Sequence, residues 1–194
     1  MNTGYGTRWA KTIKRMAVMA NIITLEGKTP DIHTNCFLAE SASVIGEITL
    51  SEGVSVWYGV TIRADIGPVR IGSYTNIQDG SVIHVDTPRP DQPDWGPVII
   101  GEYVTIGHGA IIHNCTIEDA CLIGMGAIVL DGAVIGKGSI VGAGALVPPN
   151  ANIPPFSMVL GTPGKVVKTL LEESLQDRIN HASRYWELAK KYKK

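Results

Sequence analysis

The chain predicts an all-β solenoid, coiled into a triangular prism and followed by a C-terminal α-helix. Aliphatic residues recur every six positions over about 110 residues. The repeat ends at a cluster of prolines, beyond which the apolar spacing becomes helical. Composition agrees, since 22 glycines and 11 prolines against 2 phenylalanines describe many tight turns packed with small aliphatic side chains. A 44% hydrophobic content in 194 residues is enough for one continuous core.

The period begins at Leu38 and runs through Val44, Leu50, Val56 and Ile62. A second small or branched residue follows four positions on, at Ala42, Ile48, Val54, Val60 and Ile66. After Gly67-Pro68-Val69 the frame slips, resuming at Ile71, Ile77 and Ile83. It breaks over 84–99, returns at Ile100, Ile106 and Ile112, loses one residue, and continues from Ile117 to Val147. A period of six is neither the alternation of a strand nor the 3.6 of a helix. It describes a short strand and a corner, stacked so that each repeat completes its core only against its neighbours. Three such units per coil make a prism. The pattern resembles the hexapeptide-repeat family, and that resemblance implies a left-handed parallel β-helix.

Three segments follow: an N-terminal extension over 1–25, a β-helix over 26–165 with a loop insertion at 85–99, and a C-terminal helix over 166–194. The extension holds Arg8, Lys11, Lys14 and Arg15 and no acid, and it lacks a secretory apolar core. It reads as an ordinary extension or a late start at Met16 or Met19, with an organelle leader as the alternative. Pro148-Pro149, Pro154-Pro155 and Gly161-Thr162-Pro163-Gly164 stop the coil. Leu171, Leu175, Ile179, Ala182 and Trp186 then form the helical stripe, expected to pack on the prism or a neighbouring subunit, with membrane binding as the alternative. The region between the two basic ends is acidic, which argues against nucleic acid as the main partner. No apolar run approaches the ~18 residues of a membrane span. Cys36, Cys115 and Cys121, with no CxxC spacing, read as reduced thiols in the cytoplasm.

The coil count places the chemistry. Residues three hexads apart stack on one face at a strand spacing of about 4.8 Å. With the faces opened by Ile71, Ile77 and Ile83 taken as first, second and third, Arg63, His84 and His113 occupy one outward column on the third face. His108 lies on the second, above Asp79 and below Met125. One prism cannot focus all three imidazoles, but a threefold ring sets the third face of one copy against the second face of the next. The expectation is a homotrimer with a metal at each interface, held by His84, His113 and a neighbour's His108. Three imidazoles and one open position suit a catalytic zinc. His33 and His181 read as solvated surface residues, and Cys115 as a corner residue rather than a competing ligand.

The segments Arg63-Ala64-Asp65, Asn76-Ile77-Gln78-Asp79-Gly80, Ile83-His84, Ile106-Gly107-His108-Gly109 and Ile112-His113-Asn114-Cys115 resemble the γ-class carbonic anhydrases, in order and in frame over roughly 30–165. The resemblance implies zinc, with iron or cobalt as alternatives, on the same three histidines of a homotrimer, and carbon dioxide and bicarbonate as substrates. It assigns Arg63 and Asp65 to an interface salt bridge that orients the anion, Gln78 to a hydrogen bond with metal-bound water, and Asn76 and Asp79 to support of the pocket. Such an ion brings the pKa of bound water to about 7, and the resulting hydroxide attacks carbon dioxide. Two glutamates of the family pattern are replaced by Ile66 and Thr87, which lowers the activity expected. Asp86, Asp91 and Asp94 in the proline-rich loop are the acids nearby. Two other readings stand beside this one: a metal-binding trimer with little or no catalysis, and a hexapeptide-repeat acyltransferase using one histidine base.

Overall fold

Each hexad folds as a very short strand followed by a turn, and the pairing is parallel from coil to coil. A computed structural model of the chain describes residues 19–87 and 96–193. About seven coils stack as a parallel solenoid. On the second face the strands Asn76–Ile77, Thr105–Ile106, Leu122–Ile123 and Ile140–Val141 pair in sequence with residues in direct register. On the third face Ile62, Ile83, Ile112 and Val129 stand one above another. These openers are fully buried and form one unbroken aliphatic column. Burying each such side chain contributes roughly 1.5–3 kcal/mol, so a slip of one residue, which would turn the column outward, is strongly disfavoured.

The irregularities of the repeat share one location. From the first face to the second, and from the second to the third, the six-residue frame holds in every coil. The corner from the third face back to the first is where it varies. Ile22 to Ile32, Ile62 to Ile71 and Ile83 to Ile100 are all longer than six residues, and Ile112 to Ile117 is shorter, yet each pair is aligned with its neighbours. The strands Ser43–Leu50 and Thr61–Ile71 run continuously round this corner, joining the two faces into one sheet. Thr87 and Asp86 begin the longest excursion, where the Thr87 amide donates to Asp86 Oδ1 at 2.8 Å. Asp91 and Asp94 lie outside the described residues.

Both ends of the prism differ from the sequence reading. Asn21–Ile23 already pairs with Ser43–Ile45, and Asp31–Ile32 with Thr49–Leu50, so the coil starts before residue 26. The turn closed by the Leu25–Lys28 bridge adds residues at the variable corner and hides the frame. Residues 1–18 lie outside the described region. At the other end Lys165–Thr169 is a strand antiparallel to Ser157–Leu160, not the start of a helix. Its Val166 and Val167 favour an extended backbone, and the strand completes the edge of the second face. Helix α1 spans Leu175–Lys190 after a 3₁₀ turn at Glu172–Ser174.

Helix α1 runs back along the second face from the end of the solenoid toward its start. It buries Arg178, Ala182, Trp186 and Ala189, whereas Leu171 is exposed ahead of it. Trp186 and Ala189 join Phe37, Ala39 and Trp57 in a second small core. Beyond the helix, Tyr192 packs on Phe37 and Trp57 with ring centroids 5.9 and 5.4 Å away, and Lys193 Nζ donates to Asn35 Oδ1 at 3.4 Å. The apolar stripe is therefore engaged by the chain's own prism. Among the described residues no helix is long and apolar enough to cross a membrane.

The residue after each opener shows how tightly the coils stack. On the first and second faces it is repeatedly glycine, and a Cβ on Gly72 would stand 2.6 Å from the Gly101 carbonyl carbon. On the third face the same place holds Arg63, His84 and His113. Gly72→Ala should destabilise the protein by roughly 1–3 kcal/mol through overpacking against backbone. Thermal denaturation would show this as a midpoint lower by several degrees, and an unchanged midpoint would mean the next coil gives way freely.

Candidate metal centre

The third-face column is assembled by strand pairing: Arg63 is in register with His84, and His84 with His113. Because the strands are parallel and adjacent, the two imidazoles meet, with His84 Nδ1 3.1 Å from His113 Nε2. Each ring is held from behind by a carboxylate. His84 Nε2 lies 3.0 Å from Asp65 Oδ1, and His113 Nδ1 lies 2.6 Å from Asp131 Oδ1. The other oxygen of Asp65 accepts from Arg63 Nη1. Burial raises the Asp65 pKa, but hydrogen bonds from His84 and Arg63 outweigh it and hold the carboxyl below its ordinary value. The stabilisation this supplies is complete above the ordinary carboxylate range and is lost as the pH falls through the lowered value.

These contacts fix the tautomers. A neutral imidazole has one N–H, and an ionised carboxylate can only accept. With both rings neutral, His84 donates from Nε2 and His113 from Nδ1, which leaves two lone pairs facing each other across 3.1 Å. Such a pair is repulsive alone and attractive around a cation. The separation is close to the roughly 3.3 Å between two nitrogens each ~2.0–2.1 Å from a tetrahedral ion. Carboxylates behind ligating histidines are the usual means of fixing ring orientation and raising basicity. The donor set therefore fits a divalent metal.

A second half-site stands on the second face. His108 Nδ1 lies 2.9 Å from Asp79 Oδ2, one coil below it. Asn76 is fully buried, donating from Nδ2 to Thr105 Oγ1 at 2.9 Å and accepting from Gln78 Nε2 at 3.2 Å. Gln78 is thus oriented through its amide nitrogen, with its carbonyl oxygen left for another partner. The structure brings Arg63, Asp65, His84 and His113 together on one face, and Asn76, Gln78, Asp79 and His108 on another. Among the described residues no three His, Cys, Asp or Glu side chains of the single chain converge to hold a metal.

Sequence reasoning missed Asp131. Its hexad follows Val129, which stands directly above Ile112 in the third-face column, so coil counting could have found it. It also read His181 only as a solvated surface residue, and the ring is half-buried. His181 and Tyr185 of α1 line a groove of about 390 Å³ shared with Gln78, Thr105, His108 and Met125. No periodicity in the hexads locates a helix docked across them. Cys115 is buried in the core, and burial, followed by the nearby charge of Asp131, pushes its thiol up to about 12. It packs as an apolar residue rather than offering a thiolate.

Comparison with known proteins places this geometry in a family. Residues 114–149 match the bacterial transferase hexapeptide model of six repeats. A carbonic anhydrase of Geobacillus kaustophilus is 40% identical over 89% of this chain and 91% of its own. A probable carbonic anhydrase of Methanocaldococcus jannaschii is 46% identical over 81% of this chain and 95% of its own. The crystal structure of a hexapeptide transferase family protein from Anaplasma phagocytophilum superposes with a TM-score of 0.81 at 32% identity, covering 89% of this chain and 98% of that one. The chain belongs to the γ-class carbonic-anhydrase-like family of hexapeptide-repeat proteins.

Asp131→Ala should weaken metal affinity about 10–100-fold by freeing the His113 ring, while the fold persists. Competition against a chelator of known affinity measures this, and unchanged affinity would remove Asp131 from the site.

Proposed function

We propose that this protein is a carbonic-anhydrase-like lyase that hydrates carbon dioxide reversibly at the interfaces of a homotrimer. His84 and His113 of one copy and His108 of the next would hold a divalent ion, zinc first, with iron or cobalt as alternatives. The observation that carries the reading is the facing pair His84 Nδ1 and His113 Nε2, each ring locked from behind by a carboxylate. The apolar surroundings support assembly. Val82 and Ile111 are 39% and 40% exposed beside the third-face column, and Met125 is 60% exposed beside His108. Two different faces, each half a site with an apolar flank, suit the heterologous contact of a closed ring.

An ion with three imidazoles and one open position supplies a nucleophile at neutral pH by acidifying bound water. This chain's residues would do the rest. Gln78, aimed by Asn76, presents a carbonyl oxygen that accepts a hydrogen bond without giving up a proton. The Arg63 guanidinium, steadied by Asp65, stands at the mouth of the column to hold the negative charge of bicarbonate. Asp65, Asp79 and Asp131 keep the three rings in place.

His108→Ala should abolish metal retention and carbon dioxide hydration and weaken the trimer. Elemental analysis of protein purified without added metal, size determination in solution and stopped-flow hydration would report this. A metal-replete trimer of the variant would sink the shared site. The transferase relative of matching fold favours acyl transfer as a second reading. Acetyl-coenzyme A turnover that ignores chelators would support that instead. A metal-replete wild-type trimer with no hydration at any buffer concentration would point to a structural metal.

A further inference from the structure

We infer that His181 on α1 is the proton acceptor of the hydration site, taking the proton each turnover releases and passing it to solvent buffer. The inference rests on the carbonic anhydrase reading above. Hydration forms a C–O bond from water to carbon dioxide and breaks one O–H bond, yielding bicarbonate and one proton that must leave the site. Without a titratable acceptor nearby, its export limits turnover.

The groups already in the half-sites are committed. Asp65 holds His84 and Arg63, Asp131 holds His113, and Asp79 holds His108. Protonating any of them would release the ring it orients. Gln78, Ile66 and Thr87 do not titrate. His181 differs from every other imidazole at the site. It lines the same groove as His108 and Gln78, and its nitrogens make no hydrogen bond or ion pair among the described residues. Its ring leans on Tyr185, with centroids 5.5 Å apart. The neighbouring burial of Ala182 and Trp186 fixes the helix against the prism.

The charges around the ring suit a transient proton. On the helix its neighbours are Arg184 and Tyr185, and His108 and Gln78 line the same groove from the second face, with Asp79 beside His108 and near Tyr185. Burial, then the positive charge of Arg184, holds the His181 pKa below its ordinary value, so the ring is neutral at pH 7 with a free lone pair. Arg184 also disfavours retention once the proton arrives. Tyr185 has its pKa raised, by burial and then by Asp79, and stays a neutral phenol that lines the route without exchanging its own proton.

The test compares wild type with His181→Ala and the more conservative His181→Gln, all metal-loaded. In dilute buffer kcat should fall roughly 100-fold in both variants, with kcat/KM and metal content unchanged, and added imidazole should restore it. An independent readout is NMR of ¹⁵N-histidine-labelled protein, in which the His181 ring should titrate below the ordinary histidine value. Equal kcat in dilute buffer, a loss that imidazole does not relieve, or a parallel fall in kcat/KM and metal content would overturn the assignment while leaving the carbonic anhydrase reading intact. A wild-type protein inactive at every buffer concentration would overturn both.

Discussion

Everything at the candidate centre depends on the register between coils. The buried column through Ile62, Ile83, Ile112 and Val129 holds each third-face strand at one height and one phase. The residue after each opener must then point outward, in line with its equivalents above and below. Arg63, His84 and His113 occupy that place, so their alignment is a by-product of apolar packing. No polar interaction is needed to bring the two imidazoles together. The carboxylates only choose which nitrogens meet.

The same constraint explains where the chain can vary. Two corners of the prism keep the six-residue frame without exception, and the third absorbs every added or missing residue. A solenoid tolerates a loop wherever the flanking strands can still pair, because each coil touches only its neighbours. Here the corner of variable length immediately follows the histidine column. The candidate ligands His84 and His113 sit before that corner, fixed by strands. Glycine after the opener on the other faces reports the opposite situation, a turn so close to the next coil that a Cβ has no room.

Splitting the site between faces has an electrostatic consequence. Each candidate half-site already orients its imidazoles with carboxylates: Asp65 and Asp131 on the third face, Asp79 on the second. In the isolated chain each of these carboxylates therefore has a hydrogen-bonding partner. What it leaves unresolved is the pair of opposed lone pairs at His84 and His113, which a cation would turn from repulsive to attractive. On the proposed reading, association and metal binding would be parts of one event, since the third ligand would come from the neighbouring copy.

The sequence by itself determined the solenoid, the column Arg63–His84–His113 and the placement of His108 on another face. A strict period converts chain position directly into height and direction, so counting suffices. The family resemblance made Asn76 and Gln78 candidates, though it did not show their hydrogen-bonded chain to Thr105. Only the tertiary structure decided what periodicity does not encode. The prism starts at Asn21 because strand pairing persists through a turn that breaks the count. Val166 and Val167 extend a sheet edge whose existence the local sequence does not announce. Above all, α1 returns along the second face because Trp186 and Ala189 find Phe37 and Trp57 far away in the chain. That long-range packing carries His181 and Tyr185 into the groove beside His108, and no spacing rule could have put them there.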